Sequence, residues 1–228
     1  MRRTVSILIV IALLLLSCPI ALAAPRIVYK HAGASAEKRV ALTFDDGPHP
    51  RYTAQILDIL EEYGAKATFF TVGSNAKAYP ELISRAVAQG HEIGSHTYHH
   101  YHVNQMNEAL LREEILSTNQ LLEKITGRRV RLFRPPEGVC SKSLGGICEQ
   151  EGMTIVLWSV DTRDWAHTPI DEICDNVKEN VRNGSIILMH DFIGKNSPTP
   201  NALRRIIPML SELGYEFVTI STLLDEAE

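Results

Sequence analysis

From Arg39 onward, short apolar runs alternate with longer amphipathic stretches. The runs at residues 40–44, 67–72, 91–95, 130–134, 154–160, 185–190 and 216–220 have the length of buried strands. Between them, residues 53–63, 80–89, 107–126, 143–151, 170–182 and 201–213 carry the periodicity of helices. Gly64, Gly90, Gly127, Gly152 and Gly214 follow helical stretches, where a left-handed cap suits glycine. Strands alternating with helices predict an α/β fold with a parallel sheet, and seven such strands invite closure into a barrel. An open doubly wound sheet is the alternative. Its nucleotide-binding form is disfavoured, because no glycine-rich phosphate loop follows the first run.

The first residues follow another pattern. Arg2 and Arg3 precede an apolar stretch at residues 5–16, and Ala21-Leu22-Ala23 places small residues where a signal peptidase reads. Residues 1–23 are expected to be a secretory signal cleaved after Ala23. The competing expectation is an uncleaved anchor, since residues 5–24 are nearly long enough to span a bilayer. Cys18 sits in only a loose lipobox. Residues 24–38 read as a lead-in and 39–228 as one domain, expected outside the cytoplasm.

Composition changes this picture little. The chain has 228 residues, 45% hydrophobic and 22% charged, with a net charge of -4. Those values suit a globular domain and argue against disorder. Loss of Arg2 and Arg3 with the leader takes the basic count from 23 to 21 against 27 acids, a net -6. An acidic chain is a poor partner for nucleic acid, and attraction to any anionic surface would need a local basic patch. Of the four cysteines, Cys18 leaves with the leader. Cys140 and Cys148 stand close together around Gly145 and Gly146, so a local disulfide is open to them in an oxidising compartment, and the sequence leaves that pairing undecided. Cys174 reads as a buried small hydrophobe.

The chemistry is concentrated at one end of the predicted strands. Asp45 and Asp46 follow the first run, His96 and His100 the third, and Arg134 ends the fourth. Asp161 and Asp164 follow the fifth, and His190 ends the sixth. The C-terminal rim of a parallel sheet is where barrels and open α/β sheets build their sites. A spacing of four in a helical turn would put the imidazoles of His96 and His100 on one side, where a carboxylate completes a metal triad. Asp45 and Asp46 are adjacent on a strand, so they should point apart and serve different roles. Two histidines and a carboxylate also suit a ferrous oxygenase. The extra aspartate and the further histidine favour hydrolysis.

Five segments together resemble a known family. Thr43-Phe44-Asp45-Asp46-Gly47-Pro48, the stretch from His96 to His100, Arg134-Pro135-Pro136-Glu137-Gly138, the stretch from Asp161 to Trp165, and Leu188-Met189-His190 resemble the ordered motifs of polysaccharide deacetylases. This is carbohydrate esterase family four, the NodB homology domain, and the likeness covers residues 39–222. It implies a distorted, incomplete (β/α) barrel of about seven parallel strands and a catalytic domain at 39–228. It implies that Asp46, His96 and His100 hold a divalent metal, zinc first and cobalt as the alternative. Asp45 would be the general base, oriented and kept ionised by Arg134. His190 would come from the opposite rim to protonate the departing amine, with its pKa raised by Asp164. Leu188 and Trp165 would wall a pocket for the acetyl methyl. The backbone N–H of Glu137 would join the metal in stabilising the oxyanion.

Two positions depart from the family pattern: Glu137 stands where tyrosine is usual, and Thr162 replaces a common proline. The first should bear on substrate preference more than on activity. His49, His91, His99, His102 and His167 are expected at the surface or behind the ligands, Trp158 and Tyr98 as wall or core residues, and Asp191 behind the site. The implied function is removal of N-acetyl groups from the amino sugars of a polysaccharide, peptidoglycan or a chitin-like chain. The alternatives are an O-acetyl esterase on a xylan-like polymer and an inactive glycan-binding relative. The expected partner is the N-acetylated polysaccharide, with no nucleic acid, and a membrane only through an uncleaved N-terminal segment.

Overall fold

The computed structural model describes residues 26–31 and 37–225. The signal or anchor expected at 1–23 lies outside the described residues, as does part of the lead-in. Among the described residues, no helix is long and apolar enough to cross a membrane.

In chain order the elements are β1 (Ile27–Val28), β2 (Lys38–Asp45), α1 (Tyr52–Glu62), β3 (Ala67–Thr71), α2 (Gly73–Ala78), α3 (Pro80–Ala88), β4 (Glu92–Ser95) and α4 (Glu108–Thr126). There follow β5 (Leu132–Phe133), α5 (Lys142–Gln150), β6 (Thr154–Val156), β7 (Val160–Asp161), α6 (Ile170–Asn180), β8 (Ser185–His190), α7 (Thr199–Glu212), β9 (Tyr215–Phe217) and α8 (Ile220–Asp225). The strands form one sheet in the order β1-β6-β5-β4-β3-β2-β8-β7, with β9 added beside β2. Every ladder between named strands is parallel. The sheet curls into an incomplete (β/α) barrel, as expected.

The run at 154–160 divides. Residues 154–156 pair with β5 and β1, whereas 160–161 pair with β8 at the far end of the order. In between, Leu157 N donates to Val28 O at 2.7 Å and Ser159 N to Ile186 O at 3.0 Å. In a regular strand the amides of residues two apart face the same neighbour; here those of Leu157 and Ser159 bond to opposite ends of the sheet, which is where the run breaks.

Three further points go beyond the sequence or differ from it. The lead-in supplies an edge strand, β1, because Val28 packs into the core beside Val156. The run at 216–220 is a strand only to Phe217; Ile220, Leu223 and Leu224 then bury one face of α8 at helical spacing. Cys140, Cys148 and Cys174 are free thiols. The Cys140–Cys148 bridge that the sequence leaves open is not formed: α5 turns Cys148 inward beside Leu144 and Ile147, while Cys140 stays exposed ahead of the helix. Cys174 is buried as expected.

The period of two along the strands divides the core into an outside and an inside. Val40, Leu42 and Phe44 of β2 and Ile187 and Met189 of β8 pack outward against α1, α6 and α7. Ala41 and Ile186 point inward, where Phe70, Leu132 and Val156 meet α8. Thr43, Asp45, Leu188 and His190 continue that inward parity, and with them the interior changes from apolar to polar. The apolar floor and α8 therefore fill one end of the barrel. The other end is open and carries the chemistry.

Candidate active site

Arg134 marks the boundary between floor and site. Its side chain is fully buried, with the guanidinium carbon 4.1 Å from the Phe70 ring centroid. Nη1 donates to Asp45 Oδ1 at 2.7 Å and Thr43 Oγ1 at 2.8 Å; Nε and Nη2 donate to the carbonyls of Val156 and Leu157, each at 3.1 Å. Burial pushes the arginine pKa down and Asp45 pulls it back up. A buried cation survives only with such pairing. Oδ1 of Asp45 is thus fixed, while Oδ2 faces His96 Nε2 at 3.9 Å.

The two adjacent aspartates take different partners but do not point to opposite sides as expected: the chain leaves β2 between them, and both carboxylates face His96 Nε2, Asp45 at 3.9 Å and Asp46 at 3.4 Å. Asp46 has φ 79. Its carbonyl accepts from Asn75 Nδ2 of α2 at 2.7 Å. Behind it Gly47, which precedes a cis peptide bond to Pro48, donates its N–H to Asp191 Oδ1 at 2.8 Å. A Cβ at Gly47 would lie 2.0 Å from Asp191 Oδ2, so only glycine fits. Asp191, 2% exposed, has its pKa raised to about 7 by burial, which outweighs the contacts from Thr53 and Gly47. It stands behind the site, as expected.

His96 and His100 do come together, but not on a helix. β4 ends at Ser95, and Thr97 and His100 take left-handed φ of 64° and 61°. A buried residue that the sequence reading passed over shapes this loop. Glu114, on the inner face of α4 with Leu111 and Ile115, accepts from Tyr98 N at 2.9 Å and His99 N at 2.7 Å, and contacts His99 Nδ1 at 2.6 Å. Its signal in the sequence is a lone carboxylate three residues after Leu111 on the apolar stripe of an otherwise ordinary amphipathic helix.

The three expected ligand atoms converge. Asp46 Oδ1 lies 3.1 Å from His100 Nε2 and 3.4 Å from His96 Nε2, and one atom from each of the three residues falls within 4.8 Å of the others. His96 Nδ1 contacts the carbonyl of Arg134 at 2.6 Å. That carbonyl can only accept, so Nδ1 bears a hydrogen and Nε2 is the ring nitrogen turned toward Asp46 and available to a cation. Asp46 Oδ1 is buried yet makes no well-aligned hydrogen bond. Burial raises the Asp46 pKa, but the contacts with His100 and His96 overcome it and hold the carboxyl far below its usual range. Two imidazole nitrogens and a charged, unsatisfied carboxylate oxygen make a donor set that fits a divalent cation.

His190 has its own carboxylate. Its Nδ1 lies 2.8 Å from Asp164 Oδ1, and its backbone N–H donates to Asp164 Oδ2 at 2.8 Å. Asp164 is fully buried and also accepts from Thr199 Oγ1 at 2.6 Å, a partner on α7 that the sequence did not indicate. Burial alone would lower the His190 pKa; the Asp164 hydrogen bond and the charges of Asp164, Asp45 and Asp46 outweigh it and raise the value to about 9. The expectation that His190 arrives from the opposite rim is corrected. β8 pairs directly with β2, with His190 in register with Asp45.

Asp45, Asp46, His96, His100 and His190 line a cavity of about 520 Å³ together with Glu137, Leu188 and Trp165, while Arg134 and Asp164 are buried outside its lining, paired with Asp45 and His190. Trp158 and Asp161 complete its wall. Glu137 is left-handed at φ 57, and its side chain points to His102, with Oε2 3.1 Å from Nε2. Trp165 is half exposed at the rim. His49 stacks on Tyr52 and Phe192, away from the ligand atoms, and His91 lies at the other end of the barrel.

A family model described as polysaccharide deacetylase matches residues 32–156, a stretch that includes Asp45, Asp46, His96, His100 and Arg134. The chain is 40% identical over 190 residues to a peptidoglycan-N-acetylglucosamine deacetylase of Bacillus cereus, covering 82% of this chain and 89% of that one. It is 39% identical over 187 residues to a chitooligosaccharide deacetylase of Sinorhizobium fredii, covering 77% and 87%. The crystal structure of the Bc1960 peptidoglycan N-acetylglucosamine deacetylase superposes with a TM-score of 0.82 at 36% identity, covering 86% and 92%.

Proposed function

The chain belongs to the polysaccharide deacetylase family, and from that membership we propose that it removes N-acetyl groups from the amino sugars of peptidoglycan, with chitin-like chains as the second substrate class. One observation carries the reading: a three-ligand cluster, a carboxylate and an imidazole line a single cavity, and the carboxylate and imidazole each have a buried ionic partner.

Asp46, His96 and His100 would hold the cation, zinc or cobalt, which when bound supplies Lewis acidity toward an acyl oxygen and acidifies water. Asp45 takes the proton from the attacking water through Oδ2, the oxygen that Arg134 leaves free. His190, protonated at neutral pH, gives its Nε2 proton to the nitrogen as the C–N bond breaks. Water and the amide thus become acetate and a free amine. The N–H of Glu137 donates to the oxyanion. Leu188 and Trp165 bound the space for the methyl group. The leader read at residues 1–23 would carry the domain out of the cytoplasm to such a substrate.

Acetate release from peptidoglycan, chitooligosaccharides and acetylxylan tests the reading. Metal-loaded protein should release acetate from the first two, a chelator should abolish it, and added zinc or cobalt should restore it. Release from acetylxylan alone, or full activity after metal stripping, overturns it.

A further inference from the structure

The opposite end of the barrel carries a feature that the deacetylase chemistry does not use. A groove of about 490 Å³ opens at the start of β3, β4 and β5, where Lys66, Arg128, Arg129 and Arg131 line it. All four side chains are exposed. Arg128 and Arg131 form no ion pair among the described residues, and Arg129 and Lys66 donate only to the carbonyls of Glu151 and Gln89. Two carboxylates line the groove and both are occupied. Glu92 accepts from Thr68 Oγ1 at 3.2 Å and Ser221 N at 3.0 Å, and Glu216 pairs with Arg39 at 2.8 Å.

His91 lies in the floor of the groove, 3% exposed. Its Nδ1 accepts from Ala67 N at 3.3 Å, so the ring hydrogen is on Nε2, which finds no acceptor in the protein. Burial, then the charges of Lys66 and Arg85, lower the ring's pKa to about 4, in keeping with a cationic surrounding. Cations gathered in a concave surface repel one another, and among the described residues none of these four is paired with a carboxylate. Such a cluster is the usual footprint of an anion site, and guanidinium groups match the geometry of phosphate oxygens.

We propose that the groove bounded by Lys66, Arg128, Arg129 and Arg131 is a second binding site, for an oxyanion of the phosphate type. It lies at the end of the barrel away from the cavity of Asp45 and His190, so both can be filled at once. An acidic chain would thereby hold a phosphate-bearing polymer by one end and work on a glycan with the other.

Nuclear magnetic resonance of the metal-loaded protein separates this site from phosphate binding at the metal. Titration with inorganic phosphate, and separately with poly(glycerol phosphate), should shift the His91 ring signals and the amides of Arg128, Arg129 and Arg131. The R128E/R131E variant changes only exposed side chains and should weaken that response roughly 10-fold or more. Its acetate release from chitooligosaccharides should stay at the wild-type rate, which keeps this test independent of the deacetylase reading. Shifts with the polymer place the oxyanion on a chain; shifts with phosphate alone make it a free ion. Shifts confined to the residues around Asp46, or an undiminished response in R128E/R131E, overturn the proposal.

Discussion

Asp45 and His190 are register partners on the parallel β2–β8 ladder. Neighbouring strands lie about 4.8 Å apart, and in-register residues of a parallel pair point the same way. The proposed base and acid are therefore fixed by main-chain hydrogen bonding rather than by loops. They stay chemically distinct because Arg134 binds one and Asp164 the other.

Asp45→Asn keeps the size and the contact with Arg134 but not the ability to take a proton. Its kcat should fall by about 10²–10⁴-fold. KM and metal content should change little, and steady-state acetate release with metal analysis checks both.

The alkaline limb of the pH profile follows from His190. With its pKa raised to about 9, deacetylation should hold through neutrality and decline as pH rises toward that value. Asp164→Asn should move the decline toward the ordinary histidine value of 6.5 and lower kcat. The same shift has a sign for stability. Protonation favours the folded state, so the contribution of His190 is complete below 6.5 and disappears as pH passes about 9. Urea midpoints at pH 6 and 10 should therefore differ less in Asp164→Asn.

Glu114 touches none of the three ligands, yet it ties down the loop between two of them. Glu114→Ala should weaken the cation by roughly 10–100-fold, as losses behind a metal site do. Glu114→Gln retains one oxygen for the two amide donors and should lose less. Competition against a chelator measures the order.

Gly47→Ala drives a methyl into Asp191 and should destabilise the fold by about 1–3 kcal/mol, with loss of metal binding. Asp191→Ala removes the obstacle. The double variant should be less damaged than the sum of the singles, a coupling that a denaturation cycle reads directly.

Glu137 acts in the proposal through its backbone. Glu137→Gln should leave kcat within about threefold while altering KM, because the residue lines the cavity but its carboxylate is paired with His102 and not with the ligand cluster. A large fall in kcat would assign the carboxylate a part in the reaction.

The rim was legible because the chemistry sits at strand ends, where an apolar run stops on a polar residue. Asp45, Arg134 and His190 are all found that way. What the sequence did not disclose were relations set by tertiary structure. The pairing of β8 with β2 depends on how the sheet curls, so nothing local placed His190 beside Asp45. The spacing of His96 and His100 suggested a helical turn, but Thr97 and His100 are L-residues held left-handed by a loop whose anchor, Glu114, is on another element. The 216–220 run read as a strand because the helical spacing of Ile220, Leu223 and Leu224 only begins where the strand ends.

The divided run at 154–160 has a mechanical consequence. Two amides, those of Leu157 and Ser159, clasp the two free ends of the hoop, and the covalent length between them sets its girth. Trp158 rides on that clasp and also forms part of the cavity wall. One residue inserted there would slacken the hoop by about 3.3 Å and swing the indole to the other side. The width of the catalytic opening is thus gauged by a three-residue buckle, far from any metal ligand in sequence.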